Sequence, residues 1–444
     1  MEKRVLFTCV GKTDPVRDHR DGAMLHIIRH YLPQKVYIVL SKEMEEWKNK
    51  DDRYNKAIQK FNADFHQNVE IEYLPCGIED VSDFDAFDDL FKDYLTRILN
   101  ENPDAEILFN VSSGTPQMKV AVFLLADSIK FRKARVIQVK THQGKANVSQ
   151  NTVQAGYNVD AEIELNEDNL PGAENRCREP KFLSMKKALA MRQVQALLDN
   201  YEYESLKILF ENSDLLKTST AMTLTEHLRL RQDLKTREAE KLVSRKDFGI
   251  DLFPIKNVKC RETAEFFLVL QNLSKTGKIT EFILRLNPFV IRMQELYLLK
   301  KFHFDCEQIK VQTSHKEIIS RDKIGAVNPK LLEMLDNSLK DGLKDTSPSI
   351  FLYNRILDAI ADKDEESNHY IKFFKTCETI NGQRNTSAHS LYGMDESDLE
   401  KMGVTSNKIL VTLRKLLVAC YGKECKEEIF DIYDRVNTLI MNSL

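Results

Sequence analysis

The segment Arg384-Asn385-Thr386-Ser387-Ala388-His389 sets a permanent cation and a group that titrates near neutrality on either side of small residues. No Asp or Glu lies between Ile380 and Tyr392, so the segment offers nothing to hold a divalent cation. What such a set can do without metal is cleave RNA. The nucleophile is then the substrate's own 2′-hydroxyl, and the protein need only move protons and steady charge. His389 has the intrinsic pKa to serve as base or acid at neutral pH. Arg384 never deprotonates, and its planar fork suits the charge on a pentacoordinate phosphorus. On a helix Asn385 and His389 stand one turn apart on one face, so the amide can orient the imidazole. The same residues also suit a helix start with a solvated Arg and a buried, hydrogen-bonded His, and spacing alone does not choose.

The rest of the chain sets limits. Its 444 residues have room for about two or three domains. A net charge of −3, with 42% apolar and 30% charged residues, describes a globular protein rather than one that coats nucleic acid non-specifically. Any RNA contact must come from a local groove. No apolar run approaches membrane-spanning length, and Val5 to Val10 is too short for a signal peptide. The eight cysteines are scattered and form no Cys-x-x-Cys, which points away from zinc and disulfides and toward a reduced, cytoplasmic protein.

The elements that must position these residues differ between the two ends. From 1 to 172, β-rich runs at 4–10, 35–40, 69–74, 106–111 and 135–141 alternate with helical patterns at 22–31, 51–65, 83–100 and 115–131. The third helix carries Phe84, Phe87, Phe91, Tyr94, Leu95 and Ile98 on one side. Strands alternating with helices predict an α/β domain built on a mostly parallel, doubly wound, Rossmann-like sheet. In the order 3-2-1-4-5 the loops after the first and fourth strands flank the ligand crevice. Those loops are Gly11-Lys12-Thr13-Asp14-Pro15 and Ser112-Ser113-Gly114-Thr115-Pro116-Gln117. Both are rich in Gly and hydroxyls, and the second enters a helix with Thr115 as N-cap and Pro116 at N1, an arrangement that favours phosphate. No G-x-G-x-x-G follows the first strand, and Leu6 stands where a Walker A loop needs Gly. Ordinary turn chemistry is the alternative for both loops.

Beyond Pro180 strand signals nearly vanish. Residues 173–262 read as a helical connector, with a pair at 179–200 and 202–214 and one long helix from Thr220 to about Arg245. Its part from Arg229 to Lys246 has seven basic and three acidic residues, a solvated face or a path for RNA. Gly249 to Lys259, with Pro254, marks a break. Residues 263–444 read as an all-α domain with helices at 264–273, 279–286, 288–303, 350–361, 371–380, 384–390, 408–421 and 426–442. Gly342 to Pro348 is a loop, and Gly382 breaks the backbone just ahead of the Arg–His motif. Thr386, Ser387 and Ala388 are small enough to let a second copy approach, and a twofold axis would double a thin acid–base set.

Three features together resemble the CRISPR type III-A accessory ribonucleases of the Csm type, which join a CARF sensor domain to a HEPN nuclease domain. They are the doubly wound N-terminal domain, the loop Asn110-Val111-Ser112-Ser113-Gly114-Thr115-Pro116-Gln117-Met118, and Arg384-Asn385-x-x-x-His389 within a C-terminal helical domain. The resemblance implies a CARF domain at 1–172, a connector at 173–262 and a HEPN domain at 263–444. It implies a homodimer that binds a cyclic oligoadenylate, six adenylates favoured over four, through Gly11, Thr13, Asp14, Asn110, Ser112, Ser113, Gly114 and Thr115. Binding would activate a composite site of Arg384, Asn385 and His389 from both chains. That site would cut single-stranded RNA without metal or other cofactor, in antiviral defence. Some relatives also slowly cleave their activator, which would place a 2′-hydroxyl near Ser113 or Thr115. No membrane contact and no stable association with the CRISPR effector complex are expected. Rival readings are a CARF-type ligand-sensing transcription regulator and a HEPN toxin.

Overall fold

The apolar runs at 4–9, 35–40 and 106–110 become strands buried on both faces, the signature of a parallel sheet. The computed structural model describes residues 3–444 apart from 79, 81–82, 84, 129–132, 142–156, 182, 315, 362–363 and 391–392, and apart from the side chains of 127–128 and 384–390. Two compact units result, Met1–Phe182 and Leu183–Leu444.

In the first unit the strands are β1 (Arg4–Cys9), the small hairpin β2 (Val16–Arg17) and β3 (Arg20–Asp21), β4 (Lys35–Leu40), β5 (Glu70–Pro75), β6 (Glu106–Asn110), β7 (Ala134–Val139) and β8 (Cys177–Arg178). The helices are α1 (Ala23–Tyr31), α2 (Lys42–Asp51), α3 (Arg53–Phe65), α4 (Ala86–Glu101), α5 (Pro116–Ser128) and α6 (Val159–Glu164). The main sheet runs β5-β4-β1-β6-β7-β8, parallel except for β8. Its five long strands thus take the predicted order 3-2-1-4-5, with β1 between β4 and β6. Side chains alternate across β1: Leu6 joins the cluster with Ile27, Val36, Ile58 and Leu108, while Phe7 meets Phe91 and Phe109 at 5.5 and 6.0 Å on the other face. Phe87, Phe91, Leu95 and Ile98 of α4 are buried as its pattern predicted, and Phe84 lies outside the described residues.

The helix expected at 51–65 is α3, and an unforeseen helix, α2, runs directly into it. Asp52 adopts a left-handed φ of 52° that ends α2 and starts α3. The polar α2 buries only Met44, too short an apolar stripe to announce itself in sequence. The β2–β3 hairpin and β8 were also unforeseen, each being two residues long.

The second unit begins with α7 (Leu183–Asp199), α8 (Tyr203–Glu211), α9 (Ser219–Gln232) and α10 (Thr236–Val243), and continues with α11 (Val258–Lys275) and α12 (Ile279–Phe302). A short hairpin of β9 (Lys310–Gln312) and β10 (Glu317–Ile319) precedes α13 (Arg321–Val327), α14 (Pro329–Ser338), α15 (Ile350–Ile360), α16 (Glu365–Ser390), α17 (Glu396–Lys401), α18 (Ser406–Tyr421) and α19 (Ile432–Asn442). One hydrophobic cluster joins Leu198, Leu206 and Leu228 to Phe267, Phe282, Leu357, Leu413 and Val436.

The structure corrects the expected helices at several points. The stretch 220–245 is broken, because Leu234 takes a left-handed φ of 59° between α9 and α10, with no Gly or Pro to signal it. Two of its arginines are committed: Arg231 is fully buried in a bidentate pair with Glu265 at 2.7 and 2.9 Å, and Arg229 is held by Glu226. Conversely, α12 runs straight through Pro288. The carbonyl that loses its partner there belongs to Leu284, which is 44% exposed and so open to water. Gly382 likewise does not break α16: exposed in a helix, Gly costs only about 1 kcal/mol relative to Ala. The last helix begins at Ile432 rather than 426, after a single 3₁₀ turn at Glu427–Ile429.

Candidate functional site

The carboxyl ends of β1 and β6 are where the sheet order reverses, and both loops there are tightly constrained. Asp14 N donates to Gly11 O (3.0 Å), Gly11 N donates to Asp14 Oδ2 (3.0 Å), and Met24 N donates to Asp14 Oδ1 (3.0 Å). The carboxylate therefore ties its own loop to the first turn of α1. Gly22 is required by this closure, since a Cβ there would lie 2.5 Å from Thr13 O and 2.6 Å from Asp14 Oδ1. Burial raises the Asp14 carboxyl above its ordinary range, opposed by the Ser113 hydroxyl, the Met24 and Gly11 amides and the Lys119 ammonium.

Below the second loop, Asn110 is fully buried. Its Nδ2 donates to Thr8 Oγ1 (2.9 Å) and its Oδ1 accepts from Ser112 N (2.8 Å), so the amide locks β6 to its register partner in β1. Ser112 Oγ accepts from Val139 N at 2.7 Å and fixes the end of β7. Thr115 Oγ1 accepts from Met118 N at 3.3 Å, the N-cap bond its position predicted. Gly114 takes φ +91°, and a Cβ there would stand 2.8 Å from Cys9 Cβ and 3.0 Å from Met118 Sδ. The two loops touch: a Cβ on Gly11 would be 3.4 Å from Gly114 N.

The structure thus brings Gly11, Thr13, Asp14, Asn110, Ser112, Ser113, Gly114 and Thr115 to one end of the sheet and divides their work. Asp14, Asn110 and Ser112 have their polar atoms committed to the frame. Thr13 and Ser113 carry hydroxyls beside the Gly114 backbone, Thr115 Oγ1 caps α5 through Met118 N, and Ser113 Oγ, though buried, has no partner of full hydrogen-bond geometry. Lys119 was missed by the sequence reading. It is the one cation of α5, one turn beyond Thr115, and half-buried. Burial lowers its ammonium below the usual lysine range, and Asp14 and Cys9 only partly offset this. A desolvated cation beside a helix N-terminus is what a phosphate would relieve.

Among the described residues, Asp21, His26 and Asp168 are the group whose ligating atoms lie within 4.8 Å of one another. Guanidinium groups already occupy them: Arg29 Nε and Arg176 Nη2 donate to Asp21 Oδ2 (2.7 Å) and Asp168 Oδ2 (2.9 Å), and Arg20 Nη1 to Asp168 Oδ1 (3.1 Å). His26 Nε2 accepts from Arg176 N (2.9 Å), which puts the ring proton on Nδ1, 3.4 Å from Asp21 Oδ2. Burial would raise the Asp21 carboxyl, yet the His26 and Arg29 donors outweigh it and hold it down to about 2. The cluster is an ion-paired core that fastens β3 and α1 to the segment around Asp168 and Arg176.

In the second unit, Arg384, Asn385 and His389 lie in the last two turns of α16, on one continuous helix, and their side chains fall outside the described residues. After the motif, Thr280 Oγ1 at the start of α12 donates to Met394 O at 2.9 Å.

Comparison with known proteins follows the same division. The Cas_Csm6 CARF domain matches residues 68–177 and the Cas_Csm6 HEPN domain residues 252–441. A CRISPR system endoribonuclease Csm6 of Enterococcus italicus is 28% identical over 456 residues, covering 99% of this chain and 100% of the relative. One from Mycobacterium tuberculosis is 25% identical over 445 residues, covering 99% of this chain and 98% of the relative. The solved structure of Enterococcus italicus Csm6 bound to cyclic hexa-2′-fluoro-hexa-dAMP superposes with a TM-score of 0.62 at 25% identity, covering 100% of both chains. The chain therefore belongs to the Csm6 family, a CARF domain followed by a HEPN domain, whose curated members are CRISPR system endoribonucleases.

Proposed function

We propose that this chain is a cyclic oligoadenylate-activated, metal-independent endoribonuclease of single-stranded RNA in type III CRISPR defence. The observation that carries the reading is the pairing of a glycine-lined crevice at the sheet's switch point with an Arg-Asn-x-x-x-His helix, in a chain that Csm6 endoribonucleases match from end to end. In the crevice, the Gly114 backbone, the hydroxyls of Thr13, Ser113 and Thr115, and Lys119 receive ligand phosphates, while Asp14, Asn110 and Ser112 hold the loops in place. A ring of six adenylates is favoured, as the Enterococcus italicus relative holds a cyclic hexanucleotide analogue. Slow cleavage of the activator would use a 2′-hydroxyl near Ser113 or Thr115.

At the other end, two copies of α16 in a homodimer supply the nuclease. His389 takes the proton from the 2′-hydroxyl, Asn385 one turn away orients the imidazole, and Arg384 steadies charge on phosphorus. The absence of carboxylates from 381 to 391 supports a mechanism without a divalent ion. The protein works in the cytoplasm and apart from the effector complex.

The test is RNA cleavage with and without cyclic tetra- and hexa-adenylate, in EDTA. Activator-dependent cleavage leaving 2′,3′-cyclic phosphate ends is expected, with 2′-deoxy substrates resistant and His389→Ala slower by about 10²- to 10⁴-fold. Activator-independent cleavage would indicate a toxin. No cleavage under any condition would favour a ligand-sensing regulator.

A further inference from the structure

Three polar side chains cross the apolar core of the second unit close to the motif helix. Gln294 of α12 is fully buried and Asn354 of α15 is 1% exposed. Gln294 Nε2 donates to Asn354 Oδ1 (2.8 Å) and Ile350 O (3.3 Å). Asn354 Nδ2 donates in turn to Glu378 Oε2 (2.6 Å) and Phe374 O (3.3 Å) of α16. Burying such groups gives less stability than apolar packing of the same volume, and Gln294 Oε1 is left without a partner. What directional bonds supply and apolar contacts do not is a fixed register between helices.

The register that is fixed here is that of the motif. At about 100° per residue, Asn385 and His389 lie within about 20° of Glu378 around the α16 axis. Asn354 ties α16 to α15 at Phe374 and Glu378, within three turns of the motif. The aromatic contacts of Tyr297 with Tyr370 and Phe374 grip the helix earlier but permit rotation. At a radius of about 6 Å, a rotation of about 10° moves an imidazole by about 1 Å, and a misplacement of that size can cost about 10²-fold in rate.

We infer that Gln294, Asn354 and Glu378 form a positioning network that sets the rotation of α16 and thereby aims Asn385 and His389, an inference that rests on the proposed nuclease site. The experiment compares Glu378→Leu, Asn354→Leu, Glu378→Gln and the volume-conserving Gln294→Met in the full-length protein with saturating cyclic hexa-adenylate. The readouts are kcat, KM, pH profile and thermal unfolding. Both Leu variants are expected to lose about 10- to 100-fold in kcat, with KM within about threefold and the pH profile in place. Glu378→Gln still accepts from Asn354 and should stay within about threefold of the parent, with Gln294→Met between the two. Folded Leu variants with parental kcat would overturn the inference, as would a Gln variant as impaired as Leu, which would assign the effect to charge. If the Leu variants unfold, parental kcat in Gln294→Met overturns it. A parent chain that cuts no RNA would refute the nuclease reading instead.

Discussion

Two glycines meet in the crevice, and the structure assigns them opposite costs. Gly114→Ala places a methyl 2.8 Å from Cys9 Cβ and 3.0 Å from Met118 Sδ, on a backbone at φ +91°. The positive φ costs a non-glycine residue about 1–2 kcal/mol, and overpacking adds about 1–3 kcal/mol. Together these give about 2–5 kcal/mol. At about 2–4 °C per kcal/mol for a unit of this size, the first unit should melt about 4–20 °C lower. Gly11→Ala differs, because its methyl meets only Gly114 N, at 3.4 Å, an ordinary contact distance. Its stability should change by less than about 1 kcal/mol. Yet that methyl covers the amide proposed to face a phosphate, so its activation by cyclic hexa-adenylate should weaken by about 10-fold or more, one lost hydrogen bond to a charged group. Thermal unfolding and activator titrations of RNA cleavage read both effects. A Gly114→Ala variant as stable as the parent would refute the packing argument, and a normally activated Gly11→Ala would refute the crevice.

Lys119→Gln should weaken activator binding by about 10- to 100-fold without lowering the melting temperature, since burial disfavours the charged ammonium in the unliganded fold and Asp14 and Cys9 only partly offset that. Calorimetric titration with an unchanged Kd would remove Lys119 from the site. Asp21→Asn should cost about 3–5 kcal/mol, because Arg29 is left facing a neutral partner in the core, and denaturant unfolding measures it. His227 predicts a pH dependence. Burial, then the Arg231 charge, lowers its pKa from 6.5 to about 3, so the fold holds it neutral while the unfolded chain takes a proton below about pH 6.5. Stability is present above pH 6.5 and is lost as pH falls toward about 3. At about 1.4 kcal/mol per pH unit the loss is on the order of 5 kcal/mol at most. Parallel pH–stability curves for the parent and His227→Gln would contradict this.

The sheet was legible because β1, β4 and β6 are buried on both faces, so their sequences carry unbroken apolar runs bounded by turns. Thr115-Pro116 was legible for a different reason, local capping chemistry that depends on no distant contact. Leu234 was not, since leucine rarely adopts left-handed backbone, and Asp52, which tolerates it, has no Gly or Pro beside it to mark the break. Pro288 and Gly382 misled in the opposite direction: breaker residues are tolerated where the helix surface is exposed. Lys119 escaped notice because a single lysine in an apolar helix shows its character only once burial and the nearby Asp14 are known.

The roles within the crevice follow from the same distinction between polar atoms already bonded and those still open. Asn110 looks from sequence like a ligand residue, since it opens the loop that carries the hydroxyls. Its carboxamide is nonetheless fully buried between Thr8 and Ser112 N, so any effect of changing it reaches a ligand through the loop. Asp14 is similar, with both carboxylate oxygens taken by backbone amides. An acid there could not otherwise face a phosphate without repulsion, and committing it to Gly11 and Met24 lets it shape the site from below. What remains open is neutral or cationic: backbone N–H, hydroxyl and ammonium, the donors that suit a polyanion. Such a ligand can shift the nuclease only by its differential affinity for the active state, so each open donor that tightens on activation bears on RNA cleavage.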